Sequence, residues 1–319
     1  MIEPIFDQIV DIPGVLSLDC GVNLGSLKAA VSIYGSERAA PSETLFFGHG
    51  FSTSSRMHSW WSSFLEQVNL DRYKLICVNA LGSSHGSTGP TCNSYEGGIF
   101  PQISIKDQSR FYVETIKALD IGRVGCVVGA SMGGMHALQM YIDSPEVMSR
   151  CIVIGAAPLT NFTKAFNWLQ LKILDDPRLN AISREATLEY CRMIMRLICV
   201  NHTAANRSVL SDFLNELEQE SEKFIHRFTR ESYYQLTYAM NKFEIKLDAC
   251  GEKHRSIPIC LVAIEDDLYV PEQSMLHLYE QFKKNNYRVS YSKFMTSKGH
   301  ESWITDGANF GKFLAQVLL

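Results

Sequence analysis

The stretch Val124-Gly125-Cys126-Val127-Val128-Gly129-Ala130-Ser131-Met132-Gly133-Gly134-Met135 constrains this chain more than any other. Its apolar run, Val124 to Val128, reads as a short buried strand. The strand enters the pentapeptide G-x-S-x-G, Gly129 to Gly133, and a helix is expected over Met135 to Ile142. A serine on so tight a strand-to-helix turn needs small neighbours, because the backbones crowd there and the turn residue is strained. Such a turn holds the Ser131 hydroxyl clear of the sheet. It also sets the backbone N–H of Met132 at a helix N-terminus, where it can stabilise an oxyanion. Taken alone, the pentapeptide fits a glycine-rich turn with an incidental serine equally well.

The totals narrow the frame. With 319 residues, the chain can form one large domain or a domain carrying an inserted cap. Hydrophobic residues make up 46% and charged residues 20%, as in a folded globular protein. The net charge of −4 comes with no basic run, which argues against a nucleic-acid partner. Nine cysteines are scattered without a C-x-x-C pair, so buried reduced thiols such as Cys77, Cys126 and Cys260 are expected rather than a disulfide frame or a zinc site. The first residues lack a basic region followed by a long apolar one, and no apolar run is long enough to span a membrane. A cytoplasmic location is the expectation, with no membrane partner.

Along the chain, Val10 to Tyr34 alternates loosely and predicts an antiparallel edge hairpin, with a strand pair in Val22 to Gly35. Thr44 to Phe47 is a buried strand ending in Gly48-His49-Gly50-Phe51-Ser52, where the backbone N–H of Phe51 is the candidate second oxyanion donor. His49 is expected to be a structural histidine on that turn. Tyr73 to Asn79 is the next strand, and the small residues of Ala80 to Pro90 let that loop lie close to the site. His85 within it could be a base by composition, although a better-placed histidine follows. Lys106 to Leu119 has helical spacing, and Ser149 to Ile154 is another strand. Strands and helices thus alternate from Thr44 to Ile154, the pattern of a parallel sheet with helices on both faces.

From about Leu159 to Lys246 only helical periodicity remains, over Phe162–Leu174, Thr187–Leu197, Ser208–Phe228 and Ser232–Phe243. Placed between sheet strands, this insertion reads as a cap over the site, with ordinary packing helices as the other reading. The acids from Glu216 to Glu222 read as a solvated face. The division expected is 1–158 and 247–319 for the core, and 159–246 for the helical cap. The sheet resumes at Ile257 to Ile264 and runs into Glu265-Asp266-Asp267. Asp267 is the favoured acid and Asp266 the alternative, because Asp267-x-x-x-Pro271 fits an acid loop. A helix (Glu272 to Asn285), a strand (Val289 to Phe294), the loop Gly299-His300-Glu301 and a final helix (Asn309 to Leu318) follow.

Ser131, Asp267 and His300 therefore each follow a strand, in the chain order of the α/β-hydrolase fold. The expected class is α/β, a mostly parallel sheet with helices on both faces and an inserted helical cap. In this arrangement His300 takes the proton of Ser131, Asp267 orients the imidazole, and two backbone N–H groups hold the oxyanion.

Wider motifs extend the pattern. Asp71 to Thr91, ending in G-S-T-G-P-T, resembles a strand and loop of the homoserine O-acetyltransferase family. Phe100 to Arg110 is similar to its F-P-x-I-T-I-x-D stretch, and Gly129 to Gln139 resembles its G-x-S-M-G-G-M-x-A-L motif. Ala165 to Asn180 and Glu222 to Met240 resemble its cap helices. The resemblance covers most of the chain from Leu45 onward. It implies transfer of an acetyl group from acetyl-CoA, as co-substrate, through Ser131 to the hydroxyl of a small amino acid, with ping-pong kinetics. No sequence feature indicates a metal or a bound redox cofactor; the resemblance implies a homodimer, since family members are often dimers.

Three positions depart from the family. Glu301 follows the catalytic histidine where the family has an Asp that binds the acceptor's amine. Arg192 falls near the family's carboxylate-gripping Arg, or is a helix-surface arginine, and the family's Y-R-S is replaced by Val200-Asn201 with its neighbours. The oxyanion loop reads H-G-F-S in place of H-A-L-T. A serine esterase or thioesterase on the same scaffold is the alternative activity, and a non-catalytic binding protein fits the intact triad poorly.

Overall fold

Buried apolar runs make the sheet. The computed structural model describes residues 2–91, 99–247 and 255–318. Among them the strands are β1 (Phe6–Ile12), β2 (Leu16–Ser17), β3 (Asn23–Leu24), β4 (Leu27–Gly35), β5 (Thr44–Gly48), β6 (Lys74–Val78), β7 (Cys126–Ala130), β8 (Cys151–Ile154), β9 (Ile259–Ile264) and β10 (Val289–Phe294). Eight of them form one sheet in the order β1-β4-β6-β5-β7-β8-β9-β10. From β6 to β10 every pairing is parallel, while β1–β4 and β4–β6 are antiparallel. Every residue of β5, β7, β8 and β9 is buried, as expected for strands covered on both faces.

Alternation along the strands splits the core in two. Val127 and Val153 face a cluster containing Phe111, Ile116, Met135 and Leu138 from the helices Ile105–Ala118 and Met132–Asp143. Val128, Ile152 and Ile154 face the other side, against Trp61, Phe64, Phe310 and Leu314, the last two on the helix Gly307–Leu318. The described helices include none long and apolar enough to cross a membrane.

Several boundaries differ from the sequence reading, each for a local reason. The edge hairpin begins at Phe6, and Val22–Gly35 splits into the two-residue β3, paired with β2, and the nine-residue β4. The helix after Ser131 begins at Met132, directly after the serine. Val124 makes only an isolated bridge, to Met148. The seven cysteines among the described residues are free thiols, and all but Cys20 are buried; Cys92 and Cys250 lie outside these residues.

Between β8 and β9 the chain forms the helices Asn161–Asp175, Pro177–Ile182, Arg184–Cys199, His202–Ala205, Leu210–Ile225 and Arg230–Asn241. Side-chain caps set several of their starts. The Thr160, Asp176, Ser183 and Thr229 side chains accept from the backbone N–H of Thr163, Arg178, Ala186 and Ser232. The Ser183 cap explains why its helix opens at Arg184, before the apolar periodicity starts. The insertion is anchored to the core beside the site. Val200 bridges Gly299, and the His300 N–H donates to the Cys199 carbonyl at 2.9 Å.

Candidate active site

The elbow at Ser131 is built by close backbone approach. Ser131 has φ 55° and ψ −125°, a conformation that costs a non-glycine residue roughly 1–3 kcal/mol. Its N–H donates to the Ile154 carbonyl at 2.9 Å, which ties the turn to the neighbouring strand. A Cβ on Gly129 would sit 2.0 Å from the Gly133 carbonyl oxygen, and one on Gly133 would sit 2.0 Å from that of Gly48. Both flanking glycines are therefore required by space.

The structure brings Ser131, His300 and Asp267 together. His300 Nε2 lies 2.8 Å from Ser131 Oγ, and His300 Nδ1 lies 2.6 Å from Asp267 Oδ2. With the imidazole proton on Nδ1, that N–H donates to Asp267 and Nε2 accepts from the serine hydroxyl. Asp267 Oδ1 accepts from the Val270 N–H at 2.8 Å, so the carboxylate is fixed at both ends. Asp266 is exposed and accepts instead from Asn201 Nδ2 at 3.2 Å, away from the histidine. All three side chains of the Ser–His–Asp set are buried, and the Tyr269 ring packs against the imidazole with centroids 4.9 Å apart.

Burial on its own would lower the His300 pKa. The charge of Asp267, its hydrogen bond and the nearby Glu301 outweigh that, and the net direction is upward from 6.5. A base must be neutral to accept a proton, so the acid limb of kcat/KM is expected above the ordinary histidine range. Removing the Glu301 charge lowers the His300 pKa, so Glu301→Gln is expected to move that limb to lower pH. A pH–rate profile of both proteins checks it; an unmoved or raised limb would count against this electrostatic coupling.

The other histidines take different places. His49 is buried, its Nε2 accepting from the Ala80 N–H at 2.9 Å and its Nδ1–H donating to the Gly50 carbonyl at 2.7 Å. Burial pushes its pKa down to about 4, which leaves it neutral and structural. His85 lines a separate open cavity with Asp7, Arg56 and Arg227.

Around Ser131 the cavity is lined by Phe51, Ser52, Arg192, Met195, Cys199, Met240, Tyr269, His300, Glu301 and Trp303, and has a volume of about 20 Å³. Core loops and the inserted helices thus share its walls. Phe51 and Met132 are both buried beside the elbow, Met132 as the first residue of its helix. Trp303 explains the glycine of H-G-F-S, because a Cβ on Gly50 would lie 2.7 Å from its indole ring.

Arg192 is not a helix-surface arginine. It is 6% exposed, lies 4.8 Å over the Phe224 ring, and pairs with Glu301 at 3.5 Å. Glu301 is also paired with Arg196, a residue that the motifs did not mark. Arg192 and Arg196 are one helical turn apart, and that i,i+4 spacing within an amphipathic helix was the available signal. Burial alone would raise the Glu301 pKa; the two guanidiniums outweigh it and hold the carboxyl below its ordinary range.

The family model that matches this chain describes the α/β-hydrolase fold and spans residues 43–294. The homoserine O-acetyltransferase of Methanosphaera stadtmanae is 26% identical over 95% of this chain and 71% of that protein. The L-serine/homoserine O-acetyltransferase of Streptomyces lavendulae is 27% identical over 98% of both chains. The crystal structure of esterase E22 superposes with a TM-score of 0.83 at 18% identity, covering 100% of both chains, which establishes shared fold. The chain therefore belongs to the α/β-hydrolase fold family, as an enzyme similar along nearly its whole length to homoserine O-acetyltransferases.

Proposed function

We propose that this enzyme is an O-acyltransferase that moves an acetyl group from acetyl-CoA, through a seryl acyl-enzyme, to the hydroxyl of homoserine or a related small acceptor. The observation that carries the reading is the unbroken hydrogen-bonded chain Ser131–His300–Asp267. The names of the curated relatives supply the reaction class.

In the first half-reaction His300 Nε2 takes the Ser131 proton as Oγ attacks the thioester carbonyl. The C–S bond breaks, and the leaving sulfur takes the proton from His300 and departs as the thiol, which returns the imidazole to its neutral form. In the second, the acceptor hydroxyl gives its proton to His300 and its oxygen attacks the acyl carbon. Ser131 departs and recovers a proton. Asp267 holds the tautomer and stabilises the imidazolium. The Phe51 and Met132 N–H groups hold each tetrahedral oxyanion, at about 3 kcal/mol of barrier for a single donor.

Arg192 binds the acceptor's carboxylate, since its buried guanidinium lines the cavity beside Ser131. Residues 159–246 act as the cap. A volume of about 20 Å³ holds little more than one water, so the cap moves to admit substrate and, when shut, limits hydrolysis of the acyl-enzyme. The reading needs no bound cofactor, metal, nucleic acid or membrane. Its partners are small-molecule substrates and a second copy in a homodimer, and its location is cytoplasmic.

A serine esterase or thioesterase would use the same triad with water as acceptor. The test is free CoA thiol release from acetyl-CoA, alone and with L-homoserine, L-serine or 4-hydroxybutanoate, with mass analysis of the product. Acceptor-dependent release with an O-acetyl product is expected. Release indifferent to every acceptor would replace transfer by thioester hydrolysis.

A further inference from the structure

The ion cluster beside Ser131 narrows the acceptor class. Glu301 Oε1 is paired with Arg192 Nη2 at 3.5 Å, and Glu301 Oε2 is bound by Arg196 Nη1. Both carboxylate oxygens are therefore engaged by guanidiniums of one helix. Arg196 has a second carboxylate, Glu216, at 3.6 Å, but that side chain is 65% exposed and its charge is screened by solvent. Arg192 and Arg196 each keep a buried Nε–H without a hydrogen-bond partner, and of the two Arg192 lines the cavity beside Ser131. A buried donor left unpaired calls for an acceptor, and a guanidinium edge fits a carboxylate.

We infer that Arg196, with Arg192, holds Glu301 as the counter-ion of two arginines, so that the pocket selects a small hydroxy-carboxylate whose amine is absent or blocked. An α-ammonium approaching Glu301 meets a carboxylate already shared between two cations, with the Arg196 charge against it. A carboxylate approaching Arg192 meets a guanidinium on the cavity wall with donor capacity to spare. Repulsion of the zwitterion and attraction of the simple acid act in the same direction, which is how specificity between near-identical ligands is made. Arg196 acts here as a positioning residue through Glu301. The inference deepens the proposed acyl transfer and rests on it for the acceptor's role.

The test measures binding first, so that it does not depend on the acyl donor. Ser131→Ala protein is titrated calorimetrically with L-homoserine and with 4-hydroxybutanoate, which is the same chain without the ammonium. At least tenfold tighter binding of 4-hydroxybutanoate is expected. The double variant Ser131→Ala/Arg196→Met frees Glu301 and is expected to shrink or reverse that ratio by about tenfold. Homoserine binding as tightly as its deaminated analogue, or no binding of either, would overturn the inference without need of the Arg196 variant. A ratio unchanged by Arg196→Met would overturn the role given to Arg196. In the transfer reaction the preference should appear in acceptor KM, with donor KM unmoved by Arg196→Met. Selective binding of 4-hydroxybutanoate with no acetyl transfer would leave this inference standing and sink the proposed function instead.

Discussion

Ser131→Ala is expected to lower turnover by about 10⁴- to 10⁶-fold while leaving the fold intact. In the proposed mechanism the change removes the atom that attacks the acyl carbon and keeps everything around it. Alanine tolerates φ 55° about as well as serine does, the N–H bond to Ile154 remains, and the side chain lost is a single hydroxyl. Stability should therefore stay within about 1 kcal/mol of the parent. His300→Ala should cost a similar factor, and the two together little more than either, because the residues act as one unit. Steady-state assays with thermal melts check both points. Activity near the parent's in pure Ser131→Ala protein would remove Ser131 as the nucleophile.

Gly133→Ala is expected to fail for a different reason, by breaking the turn that presents the serine. The new methyl would lie 2.0 Å from the Gly48 carbonyl oxygen and 2.4 Å from its carbon. Both are backbone atoms of a central strand paired to β6 and β7, so neither side can yield as a flexible side chain would. The expected result is a loss of about 3 kcal/mol or more of stability, with turnover lost as the elbow shifts away from His300. Chemical denaturation measures the first effect and residual activity the second. A fully stable, active Gly133→Ala protein would show that the elbow does not depend on this contact.

Parts of this site are legible in the sequence and parts are not. Ser131, Asp267 and His300 are legible because a parallel sheet delivers successive strand ends to one edge. Chain order then carries spatial information, and the preference for Asp267 over Asp266 agrees with the hydrogen bond to His300. The strands β5, β7, β8 and β9 are legible because strands covered on both faces are continuously apolar. The edge strand β1 is harder to read: Asp7, Gln8 and Asp11 interrupt it, since one side faces solvent. The short helices Pro177–Ile182 and His202–Ala205 offer too few residues for periodicity to register.

Pairings distant in sequence are the least legible. Arg196 meets Glu301 across 105 positions, and Trp303 fills the space that forces glycine at position 50. Neither contact leaves a local pattern. The resemblance sets Arg192 near a family position, but its burial against Phe224 and its ion pair to Glu301 come only from the packing of the inserted helices on the His300 loop.

The proposed function turns on a transferable acetyl group on Ser131. The most direct measurement is intact-protein mass spectrometry after rapid quenching of enzyme mixed with acetyl-CoA, first without and then with a hydroxylated acceptor. A mass gain of one acetyl group, mapped to the Ser131 peptide, is expected. Discharge of that group by the acceptor faster than by water is expected too, with neither event in Ser131→Ala protein. An acetyl group that maps elsewhere, or an acyl-enzyme that no acceptor discharges faster than water does, would contradict it.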